Sequence, residues 1–199
     1  ITGFAKGSGM IRPDFATLLS FVFIEASINK SLLKAIHTEA LSESFERITV
    51  DGDTSPNDSS VLAASGKTAL KIIKGTANER KIRKAIIEIH QELAKQLIQD
   101  AEGATKEVLI NVSHAKNNEQ AKSVAFTVAE SPLVKTALFG NDANWGRILS
   151  AVGRSEGIDD VSKVTIDLNG TPLAKNGIID PKHSESKASK AIKRKKLSI

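Results

Sequence analysis

Ala16-Thr17 is the point in this chain where residue type and spacing suggest chemistry most directly. It lies within Lys6-Gly7-Ser8-Gly9-Met10-Ile11-Arg12-Pro13-Asp14-Phe15-Ala16-Thr17-Leu18-Leu19-Ser20-Phe21. The hydroxyl of Thr17 follows a small residue and precedes an apolar run. A threonine hydroxyl is a weak nucleophile and needs an adjacent base. If the Ala16-Thr17 bond breaks, the freed α-amine can be that base, because it titrates at about 7.7–8.0 and is partly neutral near pH 7. No histidine is then required. Gly7 and Gly9 permit close backbone approach, and Pro13 disfavours helix at Arg12 and bends the chain before the bond. The competing interpretation is that Ala16-Thr17 merely opens a buried strand over residues 18–23.

Other groupings carry weaker signals. Asp100-Ala101-Glu102-Gly103-Ala104-Thr105-Lys106 follows a long helical pattern. Acid at a helix C-terminus opposes the macrodipole, so Glu102 either lies in a terminal turn or faces a pocket, where it would bind an ammonium group. Asp51, Asp53, Asn57 and Asp58 alternate like calcium ligands, but the glycine is second and Leu62 stands where a bidentate glutamate belongs. We therefore expect no metal there, and a turn that satisfies backbone donors and caps a following helix. Residues 131–148 join two short helices through a polar hinge, read as a corner that buries the lone Trp145. His37, His90, His114 and His183 have no ligand spacing and are expected at the surface. Gly7-Ser8-Gly9 lacks the lysine and length of a phosphate loop.

Composition sets the class. The chain has 199 residues, 40% hydrophobic, no cysteine and a formal charge of +5. That suffices for a core, excludes thiolate chemistry and mildly favours a reducing compartment. The apolar runs are far shorter than the roughly 20 residues that span a bilayer. Basic residues cluster at Lys81, Arg83 and Lys84 and in Lys193-Arg194-Lys195-Lys196, but aromatics for base stacking are scarce. We expect neither nucleic acid nor membrane as partner. Ile1 is not an initiator methionine, and the last residues read as entry to a strand, so both ends are expected to belong to a larger fold.

The elements that must position these groups follow from periodicity. Strands are expected over 18–23, 46–51, 107–113 and 161–168. Helices are expected from Ser27 to about 41, over 59–65, from an Asn78 cap to 99, and over 119–130, 133–139, 145–152 and 186–193. Strands and helices interleave without strict βαβ order. The fold class is thus α/β, mixed α+β, with layered sheets flanked by helices. The turn at 153–160 suggests a main body of residues 1–153 carrying the nucleophile and substrate site, and a smaller C-terminal lobe of 154–199.

Taken together, residues 6–11 with Pro13 and 16–19, Ser44-Phe45 with 48–55 and Asn57-Asp58, 100–106 and 131–148 resemble the ornithine acetyltransferase (bifunctional glutamate N-acetyltransferase) family of arginine biosynthesis. The resemblance implies a precursor that cuts itself between Ala16 and Thr17. The upstream α chain then stays with the β chain and completes the fold, as a heterotetramer of two α and two β chains. It implies ping-pong transfer of acetyl from N2-acetyl-L-ornithine to L-glutamate through an acetyl-Thr17 ester. No resident cofactor is implied, and acetyl-CoA serves some members as donor. Lys6, Thr17 and Glu102 match substrate-contacting positions, and an ammonium with a carboxylate suits an amino-acid substrate. The implied compartment is the cytoplasm, or the mitochondrial matrix in a eukaryote. Ile24-Glu25, Glu46 and Pro56 depart from the family's usual Thr-Asp, Asn and Thr. A self-processing aminopeptidase with water as acceptor, and an inactive relative acting as a binding module, are the alternatives.

Overall fold

Alternation organises the first half of the chain. β1 (Thr2–Lys6) runs antiparallel to β2 (Leu19–Ile24), with Lys6 opposite Leu19 and Thr2 opposite Phe23. In β2, Ser20, Val22 and Ile24 are buried while Leu19 and Phe23 are exposed, the period of two that separates the faces of a strand. After the short β3 (Ser27–Ile28) comes α1 (Lys30–Ser42), then a 3-10 turn (Phe45–Arg47), β4 (Ser59–Ala64), β5 (Lys71–Ile72) and α2 (Ala77–Gln99). β4 lies parallel to β2 from Leu19↔Ser59 to Ile24↔Ala64, with α1 as the crossover that parallel strands require. The computed structural model describes residues 1–12 and 18–199. The chain divides into two compact units, Ile1–Gly103 and Ala104–Ile199.

In the first unit one sheet face is covered by α1 and α2. Val22, Leu41, Phe45, Leu93 and Leu97 form one cluster, and Ile24, Leu32, Ile36, Ile72 and Ile86 another. Each fully buried aliphatic side chain contributes about 1.5–3 kcal/mol. Gly3 lets β1 lie directly on α2, since a Cβ there would meet methyls of Ile89, Leu93 and Val22 at 3.1 Å each.

The second unit contains β6 (Glu107–Leu109), α3 (Asn118–Ala129), α4 (Pro132–Phe139), α5 (Trp145–Gly153), β7 (Ile166–Leu168), β8 (Thr171–Lys175), β9 (Ile178–Ile179), α6 (Glu185–Ile192) and β10 (Lys196–Ser198). β6 and β10 pair in parallel, and β7, β8 and β9 form an antiparallel meander. Both meander turns are Asn-Gly pairs with positive φ at each residue, Asn169-Gly170 and Asn176-Gly177, the conformation a two-residue hairpin needs.

The architecture is the expected mixed α/β, but several elements differ from the sequence expectation. Asn29, not Ser27, caps α1, its Oδ1 accepting from Leu32 N at 2.9 Å, because Ser27 is drawn into β3 against β5. Thr76 rather than Asn78 caps α2. Of the expected helix over 59–65, residues 59–64 form β4 instead, because pairing with β2 overrides local propensity. Residues 46–51 are a 3-10 turn and loop, not a strand: Arg47 N and Ile48 N bond back to Ser44 O and Phe45 O within the turn, and Val50 N donates to Ile11 O at 2.7 Å. The division falls after Gly103, not after 153. Val124, Val134 and Ile148 share one core with Ile166, Leu173 and Ile192, which binds residues 104–153 to the intended lobe of 154–199.

Candidate functional site

The first unit carries Lys6 and Glu102. Lys6 closes β1, is exposed, and belongs by alternation to the face of Phe4, opposite that of Gly3 and Ala5. Beyond it, the Ser8 carbonyl accepts from Glu102 N at 2.8 Å. A Cβ on Gly9 would sit 3.3 Å from Glu102 Oε2, so glycine allows the carboxylate to lie against this loop. Glu102 is exposed, in the turn after α2 that Gly103 completes at φ +69°. Lys6 and Glu102 thus border the same loop, residues 7–12, which leads toward Thr17. Pro13, Ala16 and Thr17 themselves lie outside the described residues.

Both borders of residues 13–17 are held by residues 50–59. Before them, Asp51 Oδ2 accepts from Met10 N at 2.6 Å, and Oδ1 from Ile11 N and Asp53 N at 3.0 Å. Thr54 Oγ1 donates to the Arg12 carbonyl at 2.8 Å. After them, Ser59 N donates to Leu18 O at 2.9 Å. Burial works to raise the Asp51 pKa, but the N–H groups of Asp53, Met10 and Ile11 outweigh it and hold the carboxyl below its usual 3.8. The sequence expectation assigned this turn to backbone donors. What it missed is that two of those donors lie some forty residues upstream, and that no helix follows. At the end of the same loop, burial pushes Asp58 up to about 6, opposed by a hydrogen bond from the Ser55 hydroxyl.

The open face of the sheet carries an apolar patch beside Lys6. Phe4 (55% exposed), Leu19 (40%), Phe23 (45%) and Val61 (40%) share it, and Phe4 stacks on Phe21 with centroids 5.2 Å apart. On the covered face lies a polar chain that sequence reading overlooked. Ser20 Oγ donates to Ser60 Oγ at 2.6 Å, and Ser60 Oγ lies 2.8 Å from His37 Nε2. His90 is fully buried, with Nδ1 2.7 Å from Ile86 O and its ring 5.6 Å from that of His37. These two histidines are therefore not surface residues, whereas His114 is exposed. The available signal was phase: His90 falls on the stripe of Ile86, Leu93 and Leu97.

The 100–106 segment is divided between the units. Lys106 serves the second, where its Nζ donates to Asn141 Oδ1 at 2.8 Å and Ile192 O at 2.6 Å. Burial lowers its pKa. Residues 131–148 form the expected corner: Ser131 caps α4, Asn144 caps α5, Trp145 packs on the core, and Arg147 Nη1 ties α5 to Leu133 O and Thr136 Oγ1 at 3.0 and 2.9 Å. Among the described residues no group of three or more His, Asp or Glu is arranged to hold a metal ion.

Residues 1–199 match the ArgJ family from end to end. The chain belongs to the ArgJ family. It is 43% identical over 199 residues to the arginine biosynthesis bifunctional protein ArgJ of Chlorobaculum tepidum, covering 100% of this chain and 49% of that protein. It is 40% identical over 202 residues to the protein of the same name from Pseudomonas fluorescens, covering 100% and 50%. The chain thus spans about half the length of the curated ArgJ relatives it matches. The crystal structure of the Bacillus halodurans arginine biosynthesis bifunctional protein ArgJ superposes with a TM-score of 0.84 at 36% identity, covering 92% of this chain and 87% of that one. The ArgJ fold is therefore that of this chain.

Proposed function

We propose that this chain is the nucleophile-bearing part of a glutamate N-acetyltransferase of arginine biosynthesis. Thr17 is its nucleophile and Lys6 and Glu102 are its substrate-binding residues. The observation that carries the reading is the common loop. Residues 7–12, bordered by an ammonium at Lys6 and a carboxylate at Glu102, run into the segment that ends at Thr17.

Maturation needs only the chain and water. Thr17 Oγ attacks the Ala16 carbonyl carbon, the Oγ proton passes to the Thr17 nitrogen, and the C–N bond breaks to leave an ester. Water hydrolyses that ester, freeing an Ala16 carboxylate and the Thr17 amine. In turnover the amine takes the Oγ proton while Oγ bonds to the acetyl carbon of N2-acetyl-L-ornithine. The proton then goes to the leaving ornithine nitrogen as its bond to carbon breaks. The glutamate amine attacks the resulting ester, acquires the acetyl group and returns a proton to Oγ. The ammonium of Lys6 complements substrate carboxylate, and the carboxylate of Glu102 complements substrate ammonium.

The ArgJ relatives are about twice as long as this chain. The reading assigns the upstream part, which ends at Ala16 and so contributes β1 with Phe4 and Lys6, to an α chain held to the β chain by the β1–β2 pairing, in a heterotetramer of two α and two β chains. No resident cofactor takes part, and acetyl-CoA is an optional donor. No helix among the described residues is long and apolar enough to cross a membrane. The reading places the enzyme in the cytoplasm, or in the mitochondrial matrix of a eukaryote.

Incubating the full-length protein with labelled acetyl-ornithine, followed by mass mapping, tests this. The expected result is a fragment beginning at Thr17 that carries one added acetyl (about 42 Da) on that residue. An uncut chain without label overturns the reading.

A further inference from the structure

The loop of residues 50–59 meets the chain on both sides of residues 13–17. On the entry side it contributes Val50 N to Ile11 O at 2.7 Å, the Asp51 carboxylate to the amides of Met10 and Ile11, and the Thr54 hydroxyl to Arg12 O. On the exit side it contributes Ser59 N to Leu18 O, where β4 begins its parallel run along β2. The two anchors come from a single stretch of ten residues, so they cannot drift apart independently.

The entry anchor also secures an unfavourable conformation. Met10 adopts φ +54°, which a side chain with a Cβ rarely takes outside glycine and asparagine. Its N–H points to Asp51 Oδ2 at 2.6 Å, while Oδ1 receives both Ile11 N and the loop's own Asp53 N. One carboxylate thus closes its own turn and fixes the approach to residue 13. Charge-assisted bonds of this kind are stronger than neutral ones.

We propose that Asp51 is a positioning residue for scission of the Ala16-Thr17 bond. With Thr54 and the Ser59 amide it forms a frame that sets where the chain enters and leaves residues 13–17. This rests on the reading of Thr17 as a self-processing nucleophile. Asp51 exchanges no proton with the reacting atoms. It holds Met10 and Ile11 in place on the approach to the bond, and misplacement of reacting groups by about 1 Å costs on the order of a hundredfold in rate.

The test measures the first-order conversion of the full-length protein into a fragment beginning at Thr17, by intact mass from pH 6 to 9. Asp51→Ala is expected to slow conversion about tenfold or more by the same factor at every pH, because a positioning group lowers the rate without adding an ionisation. Thr54→Val, which removes only the bond to Arg12 O, is expected to slow it by about threefold. In Asp51→Ala the Met10 and Ile11 amides are expected to exchange faster with solvent. Thr76→Ala removes the α2 cap and lowers stability without touching the frame, so it is expected to convert at the wild-type rate. Wild-type conversion with an unchanged Asp51→Ala rate overturns the proposal, as does equal slowing in Thr76→Ala or a changed pH profile in Asp51→Ala. Failure of the wild-type protein to convert sinks the self-processing reading and this inference with it.

Discussion

His37 Nε2 lies 2.8 Å from the Ser60 hydroxyl, joining α1 to β4 in the core of the first unit. Ser20 donates to Ser60 at 2.6 Å, which leaves the Ser60 proton available to the lone pair of a neutral His37 ring. Burial, reinforced by the neighbouring His90, lowers the His37 pKa from 6.5 to about 4. Protonation would turn His37 Nε2 into a donor toward Ser60.

A pH dependence of stability follows, with a definite sign. Between about pH 6.5 and 4 the unfolded chain binds a proton at His37 that the folded protein does not. His37 therefore makes stability fall as pH falls through this window, by up to about 1.4 kcal/mol per pH unit. Burial lowers the His90 pKa as well. Urea unfolding at pH 7, 5.5 and 4.5 should show the loss, and His37→Gln should flatten it. An equally steep curve for the variant would remove His37 as the cause.

Asp58 acts in the opposite sense. Its folded pKa of about 6 exceeds the unfolded 3.8, so its contribution is present below pH 3.8 and is lost as pH rises through 6. Its Oδ2 is buried without a hydrogen-bond partner among the described residues. Asp58→Asn is expected to raise stability at pH 8, by no more than about 1 kcal/mol once solvent screening is allowed for, and to have little effect at pH 4. Paired denaturation curves at the two pH values measure this, and a destabilised variant at pH 8 would refute it.

In the second unit, Gly177 has φ +70°, and a Cβ on it would lie 2.7 Å from the Val161 carbonyl oxygen. Backbone cannot step aside as a flexible side chain can. Gly177→Ala is expected to cost about 2 kcal/mol or more, seen as a drop of several degrees in Tm. Gly170, at φ +74° with open space around it, should be less sensitive, at about 1 kcal/mol.

The open face of the β1–β2–β4 sheet gives a prediction about assembly. Phe23 is 45% exposed on it, with its ring centroid 6.2 Å from that of Phe4, so Phe23→Ser removes both this contact and exposed apolar surface. Burying an aromatic ring is worth about 1.5–3 kcal/mol. Association of the two halves of the full-length protein after cleavage should therefore weaken about tenfold or more. Unchanged affinity in a titration of the separated halves would place the contact elsewhere.

Legibility in the sequence tracked the range of the interactions. α2 was readable because Ile82, Ile86, Leu93 and Leu97 repeat at the helical period, and α4 and α5 because Ser131-Pro132 and Asn144 cap them locally. Two Asn-Gly pairs also announced the hairpins of residues 166–179, a signal the periodicity reading passed over. β4 was misread as a helix because its partner, β2, lies forty residues upstream.

The sequence by itself carried the resemblance to the family, the composition of a cysteine-free α/β chain, and the positions Lys6, Thr17 and Glu102 that this resemblance marks for the proposed chemistry. The resemblance rests on several motifs falling in order along the chain, which is local information that the sequence holds directly. The tertiary structure alone decided that Glu102 returns to the Gly7–Gly9 loop and that Asp51 reaches back to Met10 and Ile11. It also decided that His37 meets Ser60 and that the units divide after Gly103. Each is a contact between segments distant in sequence, set by burial of one sheet face and saturation of backbone donors, and no local pattern encodes such a pairing.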